Sequence, residues 1–491
     1  MELQSILADV DIENRLPQQH LTLHIQGIAD NSAHVKPNDL FVAISGYQTD
    51  GHRYIDDAIQ KGAAAVIGEK PITDLPVPYI QVSNSREALG IAAKNFYNNP
   101  AKDKVIIGIT GTNGKTTTSY LIKHLLESSG HSCALIGTIQ TIINGETEES
   151  RNTTPNALAL HRMLHESKDH IVIMEVSSHG LDQHRVTGMM FDYALFTNLA
   201  HDHLDYHHTM ENYFQAKKKL FNYLREDGTA IVNTDDSWGE KLAKQLKKEG
   251  KHVYTIGQDE TCDAHLVQMN LKQSTITLRA NEKTHSIFSP LAGTHNMYNT
   301  VLAYCTANQF GRNETDLKQY LHEFNGVEGR FETIKNKNGA TIVIDYAHTS
   351  DALEHCLHTA KQSGAKKITN ILGFRGDRDT EKRKHMLSVI CEMSDEYILT
   401  FDDLNSVPPE SMVHTLHELH QKHGNEKGKI ITDRTLAIQK AIENSDEDHW
   451  IFITGKGHEK YEQKFRLQTE SDKDTVLFLT NHQHHDYFKE I

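Results

Sequence analysis

The chain lacks any apolar run near the ~18 residues that a membrane-spanning helix needs. Its opening residues, Met-Glu-Leu-Gln-Ser-Ile-Leu-Ala-Asp-Val, lack the basic and apolar regions of a signal peptide. Together these absences predict a cytoplasmic protein without a membrane partner. Cysteine is scarce: Cys133, Cys262, Cys305, Cys356 and Cys391 are dispersed through 491 residues with no CxxC spacing. A disulfide framework is thereby excluded, and free thiols are expected. Proline is scarce too, at 10, and with 30 glycines there is no collagenous or low-complexity bias. Basic charge is in deficit, 51 Lys+Arg against 66 Asp+Glu, for a net charge of −15. A chain this acidic is a poor general partner for nucleic acid or anionic membranes. What is present suffices for several cores, since 37% of residues are hydrophobic, and the length corresponds to about three domains. Histidine is plentiful, at 33, so a single histidine outside a motif carries little information.

Apolar runs alternate with helical patterns throughout and no repeat period is present, which predicts α/β architecture. Residues 1–100 form a first unit, with strand-like Leu40–Ile44 and Ala64–Ile67 flanking the helical spacing of Ile55–Lys61. Residues 101–330 form a second, opening with strand-like Lys104–Thr110 and closing with a helical stretch around Asn299–Asn308. Residues 331–491 form a third, with strand-like Thr341–Ile344, Lys367–Leu372, Tyr397–Thr400 and Trp450–Ile453.

The most informative segment is Val105-Ile-Ile-Gly-Ile-Thr-Gly-Thr-Asn-Gly-Lys-Thr-Thr-Thr118. A β-branched strand runs into Gly111 and Gly114, then Lys115 and Thr116, then the helical pattern Tyr120–Ser128. Glycines let backbone N–H groups close on phosphate oxygens, and the helix N-terminus adds partial positive charge. Lys115 suits the β/γ-phosphate oxygens and the Thr116 hydroxyl suits Mg²⁺. The loop is a shorter variant, GTNGKT, of the usual GxxxxGK[ST], with Ile109 where the first glycine would stand.

Two further runs lead into polar clusters. Ile171-Val-Ile-Met-Glu-Val-Ser-Ser-His-Gly180 carries Glu175 at the end of a buried-strand pattern. Ligands of doubly wound sheets bind outside such strand ends, so Glu175 is placed either as a metal ligand or as a cap or ion-pair member. Tyr193–Asn198 leads into His201-Asp-His-Leu-Asp-Tyr206, where His203 is either a second metal ligand or structural. Met210–Leu224 reads as a helix whose apolar stripe includes Lys217, while Lys218 and Lys219 can face water. A charged ammonium on that stripe is costly. Either Lys217 snorkels, or CO₂ carbamylates it, replacing a positive charge by a carboxylate able to help hold Mg²⁺.

These segments together resemble the Mur ligases: Gly111-Thr-Asn-Gly-Lys-Thr-Thr117, Glu175-Val-Ser-Ser-His-Gly180, Asn198-Leu-Ala-His-Asp-His-Leu-Asp205, Ala216-Lys217, Gly293-Thr-His-Asn296, Glu328-Gly-Arg-Phe-Glu332, Asp345-Tyr-Ala-His348 and Gly373–Arg383. The resemblance covers all three units and is nearest to the branch that adds the third amino acid of the peptidoglycan stem. It implies a small α/β uridine-binding domain, a central P-loop ATPase domain with a mainly parallel sheet, and a Rossmann-like C-terminal domain that receives the amino acid. It also implies an ATP-dependent ligase that phosphorylates the free D-Glu carboxylate of UDP-N-acetylmuramoyl-L-alanyl-D-glutamate, the acyl phosphate then being attacked by an amino-acid amine. By this resemblance Gly111, Thr112, Asn113, Gly114, Lys115, Thr116 and Thr117 cradle ATP, with Asn296, Arg330 and Asp345 on its adenine and ribose side. Thr116 and Glu175 hold one Mg²⁺; His203 and carbamylated Lys217 hold a second. Asn152, Thr153, Thr154, Ser177, Gln183 and Arg185 hold the muramyl substrate, with Ser32 on the uridine side. Residues alone leave Thr153 and Thr154 equally readable as a helix N-cap before Pro155. The usual Asp-Ser-Arg of the uridine side reads Asn31-Ser32-Ala33 here. A monomer is expected.

Members that add diaminopimelate carry Asp-Asn-Pro-Arg, with an arginine that grips the substrate. The equivalent segment here is Asp402-Asp-Leu-Asn405, so Asn405 stands in place of that arginine, while Gly455-Lys-Gly-His-Glu459 keeps the diaminopimelate pattern. Arg378, Asp402, Asn405, Gly455 and Glu459 are the expected contacts of an amino acid whose identity stays open between diaminopimelate, lysine and others. Two other readings remain. A folylpolyglutamate synthetase-like ligase shares the ATPase and C-terminal domains, and a nucleotide-binding regulator would bind without turnover.

Overall fold

The computed structural model describes residues 1–481 except 47–48, 281 and 312. Three sheets follow one another along the chain. The first holds four parallel strands in sequence order, Gly27–Ala29, Asp39–Val42, Ala65–Gly68 and Tyr79–Gln81, and is followed by helix Ser85–Phe96. Leu40 and Val42 face one core and Phe41 the other, the period-two alternation of a strand buried on both faces.

The second sheet is parallel through its middle, from Ala264–Asn270 across to Cys133–Ile136, and antiparallel at both edges. Strand Val105–Thr110 lies between Ile171–Glu175 and Phe191–Phe196. Ile107 and Ile109 pack with Leu121, Leu125 and Val301 on one face, whereas Ile106 packs with Phe191 and Phe221 on the other. Gly108 is required there, because a Cβ would lie 2.6 Å from the Phe191 ring. The outcome matters for function: the strands carrying the phosphate loop, Glu175 and the segment after Phe196 end side by side.

The third sheet contains Glu332–Lys335, antiparallel to Thr341–Asp345, then the parallel strands His449–Thr454, Lys367–Phe374, Glu396–Phe401 and Gly428–Ile430. Helix Asp472–Asn481 is pinned to helix Arg434–Glu443 by a fully buried ion pair. Arg434 Nε and Nη2 donate to Asp472 at 2.6 and 2.7 Å, and Nη2 also donates to the Thr454 carbonyl. Asp472→Ala removes the carboxylate that guanidinium bonds to and leaves it only the more distant charge of Asp402. We expect a loss of about 3–5 kcal/mol, read as a lowered denaturation midpoint of the purified chain.

Element ends differ from the sequence expectation in two informative places. The helix after the phosphate loop begins at Lys115 rather than Tyr120. The stretch expected as one helix over Met210–Leu224 is α-helical only through Lys218, and its last turn, Lys219–Tyr223, is a 3-10 turn. None of the described helices is long and apolar enough to cross a membrane.

Candidate active site

The phosphate loop owes its shape to two glycines. Gly111 has φ 150° and Gly114 φ 85°. A Cβ on Gly111 would sit 1.8 Å from Thr197 Oγ1, and one on Gly114 2.3 Å from Asn299 Oδ1. The segment after Phe196 braces the loop: Thr112 N donates to the Asn198 carbonyl (3.0 Å) and Asn113 N to Asn198 Oδ1 (2.9 Å). Gly114→Ala sets a side chain in left-handed backbone at about 1–2 kcal/mol and drives it into Asn299. The expected result is loss of nucleotide binding, measured by titration with a fluorescent ATP analogue.

Lys115 Nζ donates to the carbonyls of Gly111 (2.8 Å) and Thr112 (2.9 Å). Lys217 Nζ donates to the same Gly111 carbonyl at 2.8 Å, from a side chain only 1% exposed, and lies 4.5 Å from the Tyr213 ring centre. Two lysine nitrogens therefore converge on one oxygen. Burial pushes the Lys115 pKa down while Glu175 opposes. Burial, reinforced by Lys115, holds Lys217 well below the usual lysine value.

Glu175, fully buried at its strand end, accepts from Thr116 Oγ1 (2.9 Å), Thr138 Oγ1 (2.8 Å) and Thr138 N (2.9 Å). A hydroxyl and a carboxylate so joined form an all-oxygen donor set, which fits a hard cation such as Mg²⁺. Beside them Asp202 gathers His203 (3.4 Å), His348 (3.5 Å) and Lys382 (3.3 Å). Burial opposes its ionisation, but these three hold its carboxyl well below the usual range. Desolvation by the cleft walls lowers the His203 pKa to about 3, so that ring is neutral at pH 7. Among the described residues no three His, Cys, Asp or Glu side chains form a group able to hold a metal unaided.

One cavity of about 780 Å³ runs along these strand ends. Thr112, Asn113, Gly114, Lys115, Thr116 and Thr117 line it, as do Glu175 and His203. From the C-terminal side come Arg330 and Asp345, with Asn296 from helix Thr294–Asn308. Arg330 stacks on Tyr346 and donates to Thr116 Oγ1 at 3.3 Å. Asp345 accepts from the backbone of Phe331 and Ala347. Asn296 is buried and donates to the Ala292 carbonyl.

The muramyl-side candidates divide. Asn152, Thr153, Ser177 and Arg185 line the cavity. Thr154 does not: it is wholly buried, donating to the Glu175 carbonyl (3.0 Å) and accepting from Ser177 N (3.0 Å). Arg185 donates to the Thr154 carbonyl and to Gln183 Oε1. The N-cap after Pro155 is Asn156, which also reaches Asp30 of the first unit, so neither Thr153 nor Thr154 is the cap. Ser32 lies in that first unit, buried, its carbonyl accepting from Lys61. Of the amino-acid candidates, Arg378, Asp402 and Gly455 line the cavity, whereas Asn405 turns its amide to the Gly376 carbonyl (2.7 Å). Glu459 bonds to Tyr346 and Arg375.

Sequence reasoning missed several residues. Asp202 lay inside a quoted motif, and its position past a strand end was the available signal. Thr138 and Asp351, which accepts from Asn113 Nδ2 at 2.7 Å, sit in no pattern. Arg375 falls within Gly373–Arg383 but was passed over.

Comparison with known families decides the relationship. Residues 24–97 match "Mur ligase family, catalytic domain", 109–307 match "Mur ligase middle domain", and 329–457 match "Mur ligase, glutamate ligase domain". The chain belongs to the Mur ligase family. This Mur ligase is 36% identical over 469 residues to the UDP-N-acetylmuramoyl-L-alanyl-D-glutamate–2,6-diaminopimelate ligase of Clostridioides difficile (strain 630), covering 94% of this chain and 96% of that protein. The equivalent ligase of Bacillus cereus is 39% identical over 451 residues, covering 89% and 90%. A solved structure of a ligase of the same description superposes with TM-score 0.68 at 28% identity, covering 99% of each chain.

Proposed function

We propose that this Mur ligase uses ATP to add the third amino acid to UDP-N-acetylmuramoyl-L-alanyl-D-glutamate, in cytoplasmic peptidoglycan synthesis. The observation that carries the reading is that one cavity joins the phosphate loop to the muramyl-side and amino-acid-side candidates. Relatives so named match over nearly the whole chain, first unit included.

A free carboxylate is anionic and a poor electrophile, and phosphorylating it brings anion towards anion. Lys115 neutralises charge on the transferred phosphoryl group, and the phosphate-loop amides orient it. Thr116 and Glu175 would hold a Mg²⁺, which supplies further neutralisation. His203 presents a neutral ring for a second Mg²⁺. Lys217 joins it only after carbamylation, since an ammonium has no lone pair. Asn296, Arg330 and Asp345 flank the nucleoside; Asn152, Thr153, Ser177 and Arg185, backed by Thr154 and Gln183, hold the sugar-peptide, with Ser32 towards uridine. Arg378, Asp402, Asn405, Gly455 and Glu459 form the amino-acid end. The D-Glu carboxylate oxygen attacks the γ-phosphorus and ADP leaves. The incoming amine then attacks the acyl carbon, the C–O bond breaks, and inorganic phosphate departs.

The test supplies purified protein with Mg²⁺, ATP, the sugar-peptide and single amino acids. Phosphate release should depend on both acceptor and amino acid, with a product heavier by one residue. Release only with a folate acceptor would favour the folylpolyglutamate-type reading; none with any amino acid would leave a nucleotide-binding regulator.

A further inference from the structure

Behind the amino-acid end of the cavity, Asp403 and Glu459 are already paired with the protein's own cations. Arg375 follows strand Lys367–Phe374 and lines the cavity. Its Nη2 donates to Asp403 Oδ2 at 2.9 Å and also to Glu459 Oε2. Lys456, 1% exposed, donates to the other Asp403 oxygen at 2.6 Å and lies 3.6 Å from Asp402 Oδ1. The second Glu459 oxygen accepts from Tyr346 Oη at 3.1 Å. Both oxygens of Asp403 and of Glu459 thus have donors. A substrate ammonium reaching them would compete for the same oxygens with a guanidinium and a buried ammonium already bound there.

Donor capacity, by contrast, is left over. Both hydrogen bonds of Arg375 use Nη2, and Nη1 has no partner among the described residues. Arg378, exposed and lining the same cavity, makes no hydrogen bond or salt bridge to a described residue. Two arginines facing one cavity provide for two carboxylates, and every amino acid brings only one in its backbone. Resting on the ligase reading, we propose that Arg375 is a specificity-determining residue. Held from behind by Asp403 and Glu459, it receives a second carboxylate at the far end of the incoming amino acid. The acceptor is then a dicarboxylic amino acid such as 2,6-diaminopimelate, and a side chain ending in an ammonium alone, as in lysine, is disfavoured. With Nη2 anchored on Asp403 and Glu459, Nη1 is left to donate a charge-assisted hydrogen bond to the substrate carboxylate, and a lysine at position 375 has a single nitrogen for both tasks.

The experiment measures kcat and KM for meso-diaminopimelate and L-lysine in the wild type, Arg375→Ala, Arg375→Lys and the double variant Arg375→Gln/Glu459→Gln, which removes charge in balance should the single alanine variant fold poorly. The wild type should prefer diaminopimelate. The arginine variants should raise its KM about ten- to a hundredfold, with Arg375→Lys intermediate, the KM for ATP unchanged and lysine no worse used. A wild-type preference for lysine overturns the proposal. So does an unchanged diaminopimelate-to-lysine ratio in folded variants that still turn over, and the ligase reading survives both results. Absence of phosphate release from wild type with every amino acid overturns the ligase reading and this proposal with it.

Discussion

Lys115→Ala should lower ligation about 10²–10³-fold, the scale on which removing one preorganised charge from a water-excluded site acts. The reason lies in what its ammonium does when no phosphate is present. It folds back onto the Gly111 and Thr112 carbonyls of its own loop, has no salt-bridge partner among the described residues, and is pushed by burial towards the neutral form. A triphosphate supplies the missing anion. Charge buried at a cost in the free protein therefore becomes an attraction that strengthens as charge builds on the transferred group. Alanine removes it without opening the fold, because the side chain bonds only within its own turn. ADP release should collapse while the melting temperature holds. A variant with wild-type turnover would show that the loop serves some other end.

Lys217→Ala carries the second large effect, at least about a hundredfold on ligation. Nζ is buried against Tyr213 and shares the Gly111 carbonyl with Lys115. No carboxylate of the described residues lies within salt-bridge distance of it. Burial, then Lys115, favours the neutral amine, the form that reacts with CO₂: nitrogen bonds to carbon, one proton leaves, and a carboxylate replaces an ammonium. That change sets a negative charge next to Lys115, where an ammonium would be repelled, and would supply an oxygen ligand for the Mg²⁺ proposed at His203. Short-chain carboxylic acids should restore part of the activity to Lys217→Ala and none to Lys115→Ala. Protein equilibrated with ¹³C-bicarbonate should show a carbamate resonance that this variant lacks. Full activity in Lys217→Ala would refute the assigned role.

The legible parts of the chain were those where chemistry repeats locally. Val105–Thr110 alternates between two cores and meets a glycine turn, so strand, loop and lysine could be read in order. The start of the next helix was misjudged because Lys115–Ser119 is polar: Lys115 bonds to the loop, Thr116 to Glu175 and Thr118 to Asn299, so no apolar stripe marks this turn. The antiparallel hairpin Gln140–Ile143/Glu146–Glu149 at one edge of the central sheet left little trace, as its first strand is four residues long and only partly buried and its second is polar and exposed. Lys217 stood out because a charge on an apolar stripe is costly wherever it falls. Thr154 and Thr153 are adjacent and alike in sequence, yet one is buried behind Glu175 and the other lines the cavity; only the path of the chain distinguishes them. Arg375 was hidden for a related reason. Its partners Asp403 and Glu459 lie 28 and 84 residues away, and nothing local announces a contact of that span.

On the proposed route an inert carboxylate becomes reactive by passing one of its oxygens to phosphorus, and this can be observed directly. Sugar-peptide labelled with ¹⁸O in the D-Glu carboxylate is turned over with ATP, Mg²⁺ and the accepted amino acid, and the released inorganic phosphate is weighed. An acyl-phosphate route delivers one labelled oxygen to each phosphate formed. Phosphate carrying no label, with product still accumulating, would contradict it.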